Sequence, residues 1–117
     1  MLAGRVSGFI NVAGRKVQPG EVERVIREID GVEDVRVLPA RDASRGERVA
    51  AVIARETSAS GSSLTLQSVR AHCARRLAPH KIPRVVVLVP SLPMTARGKV
   101  DQRALLALIG AQTVPSA

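Results

Sequence analysis

Aromatic residues are almost missing: the 117-residue chain has no Trp, no Tyr and a single Phe, Phe9. Proteins that read single-stranded nucleic acid stack its bases on aromatic rings, and this chain has little to offer for that mode. Zinc-finger and RNA-recognition signatures are absent as well. Cysteine is nearly absent, with Cys73 alone, which excludes an intrachain disulfide and any metal site built from several thiolates. His72 and His80 are too few and too far apart in sequence to indicate a metal. No apolar run is long enough to cross a bilayer, and no charged-then-apolar leader opens the sequence. On these grounds the protein is expected to be soluble and cytoplasmic, with no membrane partner.

What is present is aliphatic and basic. Hydrophobic residues make up 45% of the chain, so Val, Ile, Leu and Ala must supply the core volume of one modest domain. Lys plus Arg outnumber Asp plus Glu by 18 to 10, a net charge of +8 that favours anionic partners such as nucleotide or coenzyme phosphates.

The pattern predicts a succession of short elements. Gly4 to Val17 reads as a two-stranded ribbon turning at Ala13-Gly14, with Arg15 and Lys16 at its tip. Pro19 to Asp30 reads as a helix: Pro19 suits the first turn, and Val22, Val25, Ile26 and Ile29 form one stripe. Strands are predicted at Val32–Leu38, Arg48–Ala54 and Val85–Val89. The apolar run Val49-Ala50-Ala51-Val52-Ile53 suits a strand covered on both faces. Pro39 to Gly46 and Thr57 to Ser63 read as polar loops. A helix over about 65–77 places Leu66, Val69, Cys73 and Leu77 inward, which makes Cys73 a small buried hydrophobe. Asp101 is placed to cap a last helix with Leu105, Leu106 and Ile109 inward and Gly110 at its end. The expected fold is α+β: a three-stranded sheet with flanking helices plus an N-terminal two-stranded β-ribbon. Residues 1–110 form the domain and 111–117 a flexible tail.

One loop stands apart. In Leu92-Pro93-Met94-Thr95-Ala96-Arg97-Gly98-Lys99-Val100-Asp101 a glycine permits a turn that would project the Lys99 ammonium from the body of the domain. Such a point charge suits a phosphate or a developing oxyanion. Alone, Gly-Lys describes an ordinary surface lysine.

Three stretches taken together carry more. They are Gly4-Arg5 with Ile10-Asn11-Val12-Ala13-Gly14-Arg15-Lys16-Val17 and Pro19-Gly20-Glu21-Val22-Glu23; Leu77-Ala78-Pro79-His80-Lys81-Ile82-Pro83; and Pro93 to Asp101. In this order they resemble the C-terminal domain of the adenylate-forming ligases: acyl-CoA synthetases, nonribosomal-peptide adenylation domains and luciferases. The resemblance implies a mobile lid on an N-terminal adenylation domain, in the same or a separate chain. Together the two activate a small-molecule carboxylic acid with ATP and Mg2+ to an acyl-adenylate and pass the acyl group to CoA or the phosphopantetheine of a carrier protein. It implies that Lys99 is the catalytic lysine, that Lys16 and Arg5 serve the nucleotide phosphate, and that Ala13 and Gly14 line the pantetheine tunnel. Ser7 falls at the hinge, where the family usually has Asp or Lys. These 117 residues hold neither the phosphate loop nor the acyl pocket, so the chain alone is expected to be inactive. The competing reading is a basic module binding nucleic acid or protein through Arg70, Arg75, Arg76 and Arg84. The scarcity of aromatics disfavours nucleic acid.

Overall fold

A computed structural model describes residues 9–42, 46–56 and 64–113. Gly4 to Gly8, with Arg5 and Ser7, lie outside the described residues, as do the Thr57–Ser63 stretch and the last four residues of the tail.

Strand β4, Gly46–Arg55, is the axis of the molecule. β3, Val32–Asp42, runs antiparallel to it from Val32↔Arg55 to Asp42↔Gly46. β5, Val85–Val89, runs parallel to it from Ala50↔Val85 to Ala54↔Val89. A parallel neighbour requires a crossover, and helix α2, Leu66–Arg76, lies in that connection. These strands are the expected three-stranded sheet. The ribbon, β1 Ile10–Val12 and β2 Arg15–Val17, joins the same sheet through Val12↔Gly46. With β3 along one edge of β4, β1 and β5 share the other, giving five strands in all. Helix α1, Pro19–Ile26, follows β2, and helix α3, Gln102–Thr113, ends the described chain.

Period-two alternation along β4 divides the core in two. Val49, Ala51 and Ile53 enter a cluster with Val35, Val37, the ribbon residues Ile10, Val12 and Val17, and the inner faces of α1 and α2. Ala50, Val52 and Ala54 enter a second cluster with Leu38, Val85, Val87, Leu92, Leu105 and Ile109. Residues 49–53 are fully buried, as a strand covered on both faces must be.

β3 is an edge strand, and side chains engage two of its outward donors. The Val35 N–H donates to Asp34 Oδ1 at 2.8 Å and the Val37 N–H to Glu23 Oε2 at 2.9 Å. Pro39, next on that side, has no N–H. Over 35–39 the edge therefore offers a poor template for another chain.

Element limits differ from the sequence reading for physical reasons. The apolar stripe of α1 extends to Ile29, but the helix ends at Ile26 because the bonds tighten. Glu28 N–H reaches Val25 O at 3.1 Å and Ile29 N–H reaches Ile26 O at 3.0 Å, an i→i−3 pattern. Residues Pro39 to Asp42 are strand rather than loop, held by pairing with Gly46 to Val49. At α2, Leu66 is exposed, and Leu64 takes the inward place. Thr65 and Ser68 exchange side-chain and backbone bonds of 2.9 and 3.0 Å in a capping box, while Leu64 and Val69 enter the same cluster as a staple. In α3 Asp101 caps as expected, its Oδ1 accepting from Ala104 N–H at 3.2 Å. Leu106 is exposed there, whereas Leu105 and Ile109 are buried, and Gly110 is followed by further helix to Thr113.

Cys73 is fully buried on α2, as its place in the apolar stripe implies. Burial, with a smaller contribution from the nearby Glu28 carboxylate, pushes its thiol up to about 11 from 9.0. The native chain is therefore expected to resist iodoacetamide near neutral pH and to react once unfolded, as mass spectrometry would record. The raised value belongs to the folded state, so this group's contribution is fully present below about 9. It is lost as the pH climbs toward about 11, where unfolding should become easier. Among the described residues no helix is long and apolar enough to cross a membrane.

Candidate functional site

The lysine loop is a tight hairpin. Met94 and Val100 form an isolated antiparallel bridge, and the Asp101 N–H donates to Pro93 O at 2.8 Å. Inside it, Thr95 N–H donates to Lys99 O and Gly98 N–H donates to Thr95 O at 2.9 Å. Thr95 Oγ1 accepts from the Arg97 and Lys99 amides, each at 3.3 Å. Gly98 sits at φ +82°, where a side chain would strain the backbone. Leu92 before the loop and Val100 within it root the hairpin in the second cluster. Lys99 itself is exposed, and among the described residues no carboxylate lies within salt-bridge distance of its ammonium. The result is a stiff base carrying a free cation.

The ribbon tip is built differently. Val12↔Arg15 closes a two-residue turn with Ala13 at φ 51° and Gly14 at φ 87°, the double left-handed turn that suits the twist of a hairpin. For Ala13 this conformation costs about 1–2 kcal/mol, strain of the kind that gathers at functional sites. Asn11 Oδ1 steadies the turn by accepting from Gly14 N–H at 2.9 Å. Asn11 in turn donates its own N–H to Glu47 Oε1 at 2.8 Å. Lys16 lies on the exposed face of the ribbon with its ammonium 5.6 Å from the centre of the Phe9 ring.

Beside the turn is a cleft of about 280 Å3. Its apolar lining comes from Val12, Val49, Pro79 and Ile82, with Ala13 at its border and Arg15, Arg48, Arg84 and His80 as polar lining. The 3-10 turn Pro79–Lys81 that forms one wall is clamped to α1, because Lys81 Nζ donates to both Glu21 oxygens at 2.9 and 3.1 Å.

The fold thus brings Ala13, Gly14 and Lys16 together on the ribbon, rooted in the first cluster, and sets Lys99 on a loop rooted in the second. Sequence reasoning gave no role to Asn11 and Glu47, which hold the turn, to Thr95, which organises the lysine loop, or to Arg48, and it did not bring His80 and Arg84 together with Arg48 at the cleft. Asn11 and Thr95 each precede a glycine by three residues, a turn signature that could have exposed them. Arg48, His80 and Arg84 meet only through the tertiary fold. Of the arginines considered for a basic face, Arg84 opens on this cleft and Arg76 is engaged by Glu28 at 3.0 Å.

The model of the AMP-binding enzyme C-terminal domain matches residues 21–99. The chain belongs to this family. A salicylyl-CoA synthase / salicylate adenylyltransferase from Streptomyces is 38% identical over 106 residues, covering 90% of this chain and 19% of that protein. Among solved structures, a fatty acyl CoA synthetase of Mycobacterium tuberculosis superposes with a TM-score of 0.78 at 29% identity, covering 92% of this chain and 20% of that one. ATP-bound MatB from Rhodopseudomonas palustris gives a TM-score of 0.78 at 30% identity, covering 89% and 20%. The chain therefore spans about a fifth of the length of these relatives, and it corresponds to their AMP-binding C-terminal domain.

Proposed function

We propose that residues 1–110 form the lid of an AMP-forming carboxylate ligase, with 111–117 as a tail, acting on an N-terminal adenylation domain in the same or a separate chain. In the first half-reaction a carboxylate oxygen attacks the α-phosphorus of ATP and pyrophosphate leaves. Lys99 brings positive charge to the oxygens where negative charge grows, and its loop holds that charge in place before the reaction starts. In the second, the thiol of CoA or of a carrier phosphopantetheine attacks the acyl carbon and AMP leaves. Ala13 and Gly14 give the thiol's arm a path without bulky side chains, Lys16 and Arg5 face the AMP phosphate, and Ser7 lies at the hinge. Arg15, Arg48 and Arg84 beside the turn suit phosphate groups of the acceptor.

One observation carries this reading. The lysine loop and the ribbon turn are rooted in separate apolar clusters on opposite faces of β4. A rigid body built in this way can offer one machinery, rotate, and offer the other. Mg2+–ATP is assigned mainly to the N-terminal domain, where Mg2+ would be held by one or two carboxylates and the nucleotide's own phosphates.

The test is carboxylate-dependent ATP–pyrophosphate exchange with this chain alone, the N-terminal domain alone, and both together. Exchange is expected only when the two domains are combined or joined. Robust exchange by this chain alone, or a rate from the N-terminal domain that adding this chain does not raise, would contradict the reading.

A further inference from the structure

We propose that Glu47 is a positioning residue for the Ala13–Gly14 turn, transmitting the frame of the central strand to the turn through Asn11. The proposal rests on the reading of that turn as the thiol's path. The ribbon needs such a device. Its strands are three residues each, too short for a stable hairpin on their own, and the registered pairing of β1 with β4 is Val12↔Gly46. Gly46 itself stands at φ +87°, left-handed backbone at the first position of β4. The apolar contacts of Ile10, Val12 and Val17 hold the ribbon down but, being non-directional, do not fix its angle.

Direction comes from hydrogen bonds. Glu47, 36 positions away in sequence, accepts the Asn11 N–H on Oε1 at 2.8 Å, and Asn11 Oδ1 accepts the Gly14 N–H at 2.9 Å. One residue is therefore gripped on its backbone by the sheet and grips the turn with its side chain. An ionised acceptor makes the first of these bonds short and strong. Removing it frees the turn to swing while leaving the buried part of β4 untouched.

Two measurements test this. In the 117-residue chain, amide exchange by NMR should show Gly14 accelerated about tenfold in Glu47→Ala, the Ile53 amide unchanged, and Glu47→Gln within about threefold of the parent at Gly14. In the complete ligase, Glu47→Ala should slow thioester formation from supplied acyl-adenylate about tenfold and leave pyrophosphate exchange within about twofold, with Glu47→Gln restoring most of the loss. Unchanged exchange at Gly14, or equal acceleration at Ile53, would overturn the linkage itself. Accelerated Gly14 with unaltered thioester formation would uphold the linkage and overturn the reading of the turn as the thiol's path.

Discussion

Lys99→Ala in the complete ligase should lower acyl-adenylate formation by about 10²–10³-fold, the loss typical of removing one preorganised charge from a developing oxyanion. The domain should fold as before. Lys99 is exposed, and the loop is organised by backbone bonds and by Thr95 Oγ1, none of which uses the ammonium. Thermal unfolding should thus coincide with that of the parent, and thioester formation from supplied acyl-adenylate should be spared, since the ribbon turn and the lysine loop root in different clusters. Lys99→Arg should recover little of the loss. A planar fork on a longer side chain does not reproduce a compact ammonium at a fixed point. Pyrophosphate exchange and single-turnover thioester assays on the same preparations separate the two effects.

Ile53→Ala acts on the other half of the design. Ile53 is fully buried in the central strand, opposite Val35 and Leu88, and belongs to the first cluster with the inner faces of α1 and α2. Truncation removes its transfer free energy and leaves a cavity that a strand paired on both sides closes only in part. The expected cost is about 2–5 kcal/mol, a fall in Tm on the order of 10 °C for a domain of this size. Leu106→Ala is the matched control. Leu106 is exposed on α3, so its loss should change stability by less than about 0.5 kcal/mol. Denaturant titration of the two variants measures the difference.

Much of the fold was legible because it depends on local pattern. The unbroken run at Val49–Ile53 announces a strand buried on both faces, and the alternation of β4 into two clusters follows directly. Pro19, Asp101 and the Ala13-Gly14 pair each act within a few residues of themselves, and each is where its chemistry places it. Tertiary partners account for the rest. Pro39 to Asp42 lack strand propensity and are strand because Gly46 to Val49 pair with them. Leu64 displaces Leu66 from the inward face of α2 because the capping box sets the phase of the helix, which a 3.6-residue period read without a fixed start does not.

The candidate site divides along the same line. Lys99 was visible through Gly98, whose left-handed backbone turns the loop, and Ala13 and Gly14 through the requirements of a two-residue turn. Glu47 was not, because a carboxylate held by an amide 36 positions away leaves no periodic trace. The cleft was not either: Arg15 on β2, Arg48 on β4 and Arg84 just before β5 converge only when the ribbon and β5 meet the same edge of β4.

The central claim is that one ammonium at position 99 reaches the nucleotide site of an adjoining domain, and replacing its atoms tests that claim most directly. In Lys99→Cys the new thiol can be alkylated with 2-bromoethylamine, which forms an S–C bond, expels bromide and restores an ammonium at nearly the original distance. Cys73 is buried, and its thiol, pushed up to about 11, stays protonated at about pH 8, so within this chain, alkylated before it is combined with the N-terminal domain, labelling is confined to position 99. The predicted result is that the aminoethylated enzyme regains most of the pyrophosphate exchange lost in Lys99→Cys, while the same enzyme capped with neutral iodoacetamide regains none. Equal activity of the two alkylated forms would contradict the claim.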